Sequence, residues 1–124
     1  MKLSPTEETL MQYLWIAEKA FMKDLLEAYP EPKPAVTTIA TLLKRMADKG
    51  FVGYKEYGNS REYYPVINKT DYFTKHVNGL IKTFFNNSAS QFASFFTTET
   101  NLSGKELDEL KEIIEKEIQK KKDQ

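Results

Sequence analysis

Two adjacent carboxylate pairs, Glu7-Glu8 and Asp108-Glu109, and one imidazole, His76, are the groups from which acid–base chemistry would have to be built. Both pairs fall on the outward side of predicted helices, with no glycine-rich cradle and no nucleophile beside them, so solvated helix charge accounts for them. The single histidine, His76, argues against a histidine triad and against a multi-histidine zinc site. With no cysteine in the chain, disulfides, thiolate metal sites and cysteine nucleophiles are excluded. The expectation is therefore a protein that is not an enzyme, with no catalytic residue, no metal and no cofactor. What remains is recognition chemistry, and it concentrates between Pro34 and Lys49.

That stretch, P-A-V-T-T-I-A-T-L-L-K-R-M-A-D-K, carries Ile39, Leu42, Leu43 and Met46 at i, i+3, i+4 and i+7, one apolar stripe of a helix. At about 100° per residue the opposite side collects Thr37, Thr38, Ala40, Thr41, Lys44 and Arg45. Small hydroxyl and methyl groups stand at the N-terminal end, and cations behind them. Such a face can come close to a grooved polyanion, which predicts a helix lying in the major groove of double-stranded DNA. Threonine methyls would touch thymine methyls and hydroxyls would reach acceptors, while Ala40 permits close approach and Lys44 and Arg45 hold phosphates.

The neighbouring segments are of the kinds needed to position such a helix. Ser4-Pro5-Thr6-Glu7 is a capping box with proline at the first helical position, opening a helix to Ile16 or Ala17 with Leu10, Leu14 and Ala17 inward. A shorter helix is predicted from Phe21 to Ala28, with Leu25 and Leu26 inward. Pro30, Pro32 and Pro34 stop it and stiffen the connection to the third helix. Gly50 ends that helix. Two strands follow, Phe51–Tyr57 and Arg61–Ile67, joined at Gly58-Asn59-Ser60, with Pro65 either on a sheet edge or ending the pairing. Three helices and then a hairpin is the winged helix-turn-helix order. Lys55, Asn59, Ser60 and Arg61 would then be the phosphate-holding residues of the wing.

From Asp71 onward the composition shifts, with six of the eight phenylalanines between Phe73 and Phe96. The pattern predicts a helix from Asp71 to Phe85, a break at Asn86-Asn87-Ser88, a short helix from Ala89 to Phe96, and a last helix opened by a second capping box, Ser103 to Glu106. Large apolar residues line these helices: Phe73, Val77, Leu80, Ile81, Phe84, Phe92, Phe96, Leu107, Leu110 and Ile114. So short a segment cannot hide them by itself, which predicts a symmetric helical homodimer, with fold-back onto the winged domain as the alternative. The chain is thus read as mostly α, with a winged-helix domain at 1–70 and a helical dimerisation region at 71–124.

Lysine plus arginine and aspartate plus glutamate both number 18, so the net charge is zero, which counts against a purely electrostatic DNA binder. Locally the balance tips: Lys44, Arg45, Lys49, Lys55 and Arg61 face Asp48 and Glu56, with Glu62 just beyond. No apolar run resembles a signal peptide or a membrane span, and a cytoplasmic location without membrane insertion is expected.

These segments together resemble the penicillinase repressor family of bacterial transcriptional regulators. The resemblance covers nearly the whole chain. It is carried by L-S-P-T-E with Leu14-Trp15, by T-T-I-A-T-L-L-K-R-M-A-D-K-G-F-V, by R-E-Y-Y-P-V from Arg61 and by L-S-G-K-E-L-D-E-L at the last helix. It implies a homodimeric repressor of a palindromic operator, often of β-lactam resistance genes, inactivated by proteolysis in its dimerisation region at the instigation of a membrane sensor. Two positions depart from the family pattern. Relatives often carry basic residues where this chain has Thr37 and Ala40, a change that lowers phosphate affinity or alters base preference. The cleavage bond implied by the resemblance aligns with Phe95-Phe96, where relatives commonly have asparagine before the phenylalanine. The rival reading is a dimeric winged-helix module that docks proteins and ignores DNA.

Overall fold

A computed structural model describes residues 2–124 and divides the chain into two compact units, Met1–Thr74 and Lys75–Gln124. In the first, the order is α1 (Pro5–Ala17), β1 (Ala20–Phe21), α2 (Met22–Ala28), α3 (Val36–Asp48), β2 (Val52–Tyr57) and β3 (Ser60–Pro65), with the opening turns of α4 (Lys69–Phe84). α1 begins where its capping chemistry puts it. Ser4 Oγ accepts from Glu7 N while Glu7 Oε1 accepts from Ser4 N at 2.8 Å, closing the capping box of α1.

The end of α3 is set by Gly50 at φ 85°. Its N–H donates to Ala47 O and the Phe51 N–H to Met46 O at 2.9 Å, the paired bonds of a Schellman stop, and Phe51 is buried beside them. The chain then enters β2 directly, so the same turn that ends α3 starts the wing. In the hairpin, only Gly58 and Asn59 separate the strands. Gly58 takes φ 61°, the positive value that the first position of a type II′ turn requires.

The sheet is antiparallel in the order β1-β3-β2, with Ala20 opposite Tyr63 and Tyr54 opposite the same residue from the other side. β3 is therefore the central strand, not an edge, and its register with β2 runs to Pro65, opposite Val52, with one further bond from Val66 N to Phe51 O at 2.8 Å. Proline is tolerated there because β1 pairs only with Glu62 and Tyr63, so no neighbouring strand calls for an N–H at Pro65. β1 is a third strand of two residues. It is too short to show any alternation in sequence, and the segment Ala20–Phe21 pairs only because the tertiary fold brings it beside β3.

One core fills the space between these elements. Leu10, Met11 and Leu14 of α1, Leu25 of α2, Ile39, Leu42, Leu43 and Met46 of α3, and Val52 and Tyr63 of the sheet are all buried. Ala17, expected inward, is exposed because α1 ends there and Glu18 turns the chain at φ 69°. Tyr72 and Phe73 also belong to this core. The Tyr72 ring packs on Trp15 and Phe51, and its hydroxyl accepts from Leu3 N and donates to Glu8 Oε2 at 2.9 Å. Phe73, expected on the dimer face, is instead half-buried against Trp15 and Tyr72. The first turns of α4 carry aromatic residues on the side that meets α1, so the core claims them.

The second unit comprises the rest of α4, then α5 (Ala89–Glu99) and α6 (Gly104–Lys122). Asn86 and Asn87 both take positive φ, 54° and 57°, and break the helix where the sequence predicts. Ser88 then caps α5, which runs three residues past Phe96, and Ser103 with Glu106 closes a second capping box on α6. The Phe85 ring meets Phe92 and Phe95, with centroids 5.5 and 5.4 Å away, folding α5 back on the end of α4. Phe92 also stacks on Phe96. Yet none of the described residues of this unit is buried. Val77, Leu80, Phe84, Phe95, Phe96, Leu107, Ile113, Ile114 and Ile118 all stand exposed, while Ile81 and Leu110 are half-exposed.

Candidate nucleic-acid interface

The division of α3 into two sides is complete. Ile39, Leu42, Leu43 and Met46 are buried, and Thr37, Thr38, Ala40, Thr41, Lys44 and Arg45 are all exposed. Every apolar residue of the stripe is thus consumed by the core, which fixes the helix about its own axis. The first turn contains no acid, and Ala35 at the N-cap offers no side-chain hydrogen bond, unlike Ser4 and Ser103. Val36, at the first helical position, is 54 % exposed, so the patch ahead of the cations is apolar as well as hydroxylic. Thr41 Oγ1 donates its proton to Thr37 O at 2.9 Å. That hydroxyl hydrogen is spent on the helix's own backbone, and its oxygen can now only accept.

The connection between α2 and α3 is tied back onto α2 by Lys33. Lys33 Nζ donates to Leu26 O, Glu27 O and Tyr29 O, the last at 2.8 Å, so one ammonium satisfies the carbonyl end of α2. This cation is invisible to a search for groove-facing residues because it lies outside the helices, and its role depends on the α2–α3 connection curling back.

On the wing, Lys55, Asn59, Ser60 and Arg61 are exposed around the β2–β3 turn. Arg61 sits over the Tyr54 ring with its guanidinium carbon 4.3 Å from the centroid, and its Nε lies 3.7 Å from Glu56 Oε1. Lys55 Nζ is 5.4 Å from the Tyr57 centroid. Aromatic faces therefore hold both cations in place while leaving their charge at the surface. A groove of about 500 Å³ runs between α2 and the wing, and it places Lys23 of α2 with Asn59, Ser60 and Arg61. Sequence reasoning misses Lys23, because nothing near it in the chain signals that the hairpin passes beside it.

Lys49 leaves the basic set. Its ammonium lies 2.6 Å from the Glu7 carboxylate, which is almost wholly buried. Burial pushes the Glu7 carboxyl up, but the hydrogen bonds from Lys49 and Ser4 outweigh it and hold the group below the ordinary glutamate value. Among the described residues no cluster of histidine, aspartate and glutamate is arranged to hold a metal ion. Among them, too, no helix is long and apolar enough to cross a membrane.

Comparison with known proteins agrees with this architecture. Among solved structures, the chain is similar to BpsR of Bordetella bronchiseptica, whose DNA binding is regulated by 6-hydroxynicotinic acid. The TM-score is 0.52 at 11 % identity, over 93 % of this chain and 79 % of that one, a likeness of fold. The penicillinase repressor of Bacillus licheniformis is 24 % identical over 98 % of this chain and 96 % of its own length. The methicillin resistance regulatory protein MecI of Staphylococcus aureus strain N315 is 25 % identical over 93 % and 94 %. The model of the penicillinase repressor family matches residues 3–116, so the chain belongs to that family, a family of DNA-binding transcriptional repressors.

Proposed function

We propose that this protein is a homodimeric, sequence-specific repressor that binds a palindromic operator. The observation that carries the reading is the split of α3, with its apolar side consumed by the core and its threonine and basic side left open. In this reading α3 enters the major groove and the wing's Lys55, Asn59, Ser60 and Arg61 hold the adjacent backbone. Lys44 and Arg45 continue the phosphate contacts from α3.

Homodimerisation is supported by the second unit's lack of any buried side chain among the described residues. Helices with Leu80, Phe84, Leu107, Ile114 and Ile118 exposed leave a large apolar area in water, and a second copy offers a matching one. Two linked α3 helices then bind two half-sites, the second at a high effective concentration. The relatives' names concern penicillinase and methicillin resistance, and genes of β-lactam resistance are the proposed targets, in the cytoplasm. Inactivation by cleavage at Phe95-Phe96, triggered indirectly by a membrane sensor, is the proposed mode of induction. Both residues lie inside α5 and are exposed, so a protease that needs extended substrate requires α5 to open locally first.

Operator-length duplex titrated at several salt concentrations, with the protein's mass in solution measured alongside, tests the proposal. The expected results are a dimer at micromolar concentration and log K falling steeply with log salt. A monomer, or affinity indifferent to salt, rejects it and leaves the winged helix as a protein-docking module.

A further inference from the structure

Resting on the duplex-binding reading, we infer that α3 recognises thymine C5-methyl groups through a small apolar patch of Val36, Ala40 and Thr41, and that its half-sites carry thymines in the contacted steps. Three observations converge. Val36 and Ala40 lie one helical turn apart and both are exposed. The Thr41 hydroxyl donates to Thr37 O, so its hydrogen is withdrawn from base acceptors and the side chain offers its methyl and an accepting oxygen. Between Val36 and Thr41 there is no Asn, Gln, Arg, Lys, Asp or Glu, the side chains that select guanine, adenine or cytosine edges, and a threonine hydroxyl, which bonds donors and acceptors alike, does not select one base.

The chemistry of the groove completes the match. The C5-methyl of thymine is the apolar group among the base edges of the major groove, and the other positions offer donors and acceptors. A tip of methyl groups gains contact there and gains little elsewhere. Cations first appear at Lys44, a turn further on, where they suit phosphates. Specificity and electrostatic affinity are thus separated along one helix, and the first can be altered without the second.

The test uses the full chain and duplexes enriched by it from a random pool. The enriched duplex is resynthesised with deoxyuridine in place of thymidine, which removes the methyl and nothing else. Native protein, Thr41→Ser and Thr41→Val are titrated on both duplexes at several salt concentrations, after thermal melts confirm that each variant is folded. Enriched half-sites should contain thymine, and uracil should weaken binding about fourfold for each methyl contacted, with the salt slope unchanged. Thr41→Val, which keeps a methyl, should retain the sensitivity to uracil. Thr41→Ser, which keeps only the hydroxyl, should bind more weakly and lose one position's sensitivity. Steep salt dependence with no response to uracil overturns the inference and leaves duplex binding standing. Reversed behaviour of the two variants also overturns it. Absence of salt-dependent duplex binding removes the underlying reading, and the inference with it.

Discussion

Lys49 Nζ stands 2.6 Å from Glu7 Oε1 and joins the C-terminal end of α3 to the first turn of α1. The same Glu7 oxygen accepts from Ser4 N at 2.8 Å, while Oε2 is buried with no hydrogen-bond partner. One carboxylate thus completes a helix cap and fixes the end of the helix that carries Thr37 to Arg45. Replacing Lys49 by methionine strands a buried negative charge, and the expected loss is roughly 3 kcal/mol, the lower end for a buried pair because Lys49 is partly solvated. Urea unfolding would measure it. Glu7→Gln should cost less, since the uncompensated partner is then a lysine that water can reach.

The same pair gives a pH dependence of definite sign. The Glu7 carboxyl lies below its ordinary value of 4.5 in the folded protein. Its contribution is therefore fully present above about 4.5 and is lost as pH falls through the depressed folded value. In Lys49→Met burial is left with less opposition and the carboxyl rises, so the stranded charge costs most near neutral pH and acid relieves that cost by protonating it. Thermal midpoints of the two proteins between about pH 3 and 7 should converge as pH falls, and parallel curves would remove Glu7 from the account.

Tyr72 ties α4 to the N-terminal unit through both its ring and its hydroxyl. Tyr72→Phe keeps the aromatic packing and should cost about 1 kcal/mol of stability. A chain ending at Thr74 should fold and give up most operator affinity, because it keeps the winged helix and lacks the association helices. Ending at Thr70 removes Tyr72 and Phe73 from the core and should lower stability further, by several kcal/mol in total. Circular dichroism melts and gel-shift titrations of the two fragments distinguish the effects.

Lys44 and Arg61 are exposed on α3 and on the wing. Alanine at either should lower operator affinity and reduce the slope of log K against log salt by about 0.9 for each phosphate no longer neutralised. Neither should alter stability by more than about 0.5 kcal/mol. Unchanged slopes in both variants would take these residues out of the interface.

Gly53 lies directly beneath the Tyr64 ring. A Cβ there would come within 2.7 Å of Tyr64 Cζ and Oη, so alanine forces the ring aside. Because Tyr64 is exposed and meets the new Cβ with the far end of its side chain, Gly53→Ala should destabilise by only about 0.5 kcal/mol, and Tyr64→Ala should relieve most of that in the double variant. Additive losses would mean that the ring is not what excludes a side chain.

Much of the fold was legible because it is written in local chemistry. Two serine–glutamate capping boxes, a proline at the first helical position, Gly50, the Gly58 turn and the asparagine pair at 86 and 87 each act within a few residues, and each element begins or ends where they stand. The four buried residues of α3 follow from periodicity alone, and so does the open side that carries Thr37, Thr38, Ala40, Thr41, Lys44 and Arg45.

What the tertiary structure decided are pairings between residues far apart in the chain. β1 exists only because α1 and α2 deliver Ala20 and Phe21 beside β3. Lys49 is withdrawn from the basic patch by a carboxylate 42 residues away, and Phe73 from the apolar face by Trp15. Charge and hydrophobicity say what a side chain seeks; only the folded chain determines which partner reaches it first.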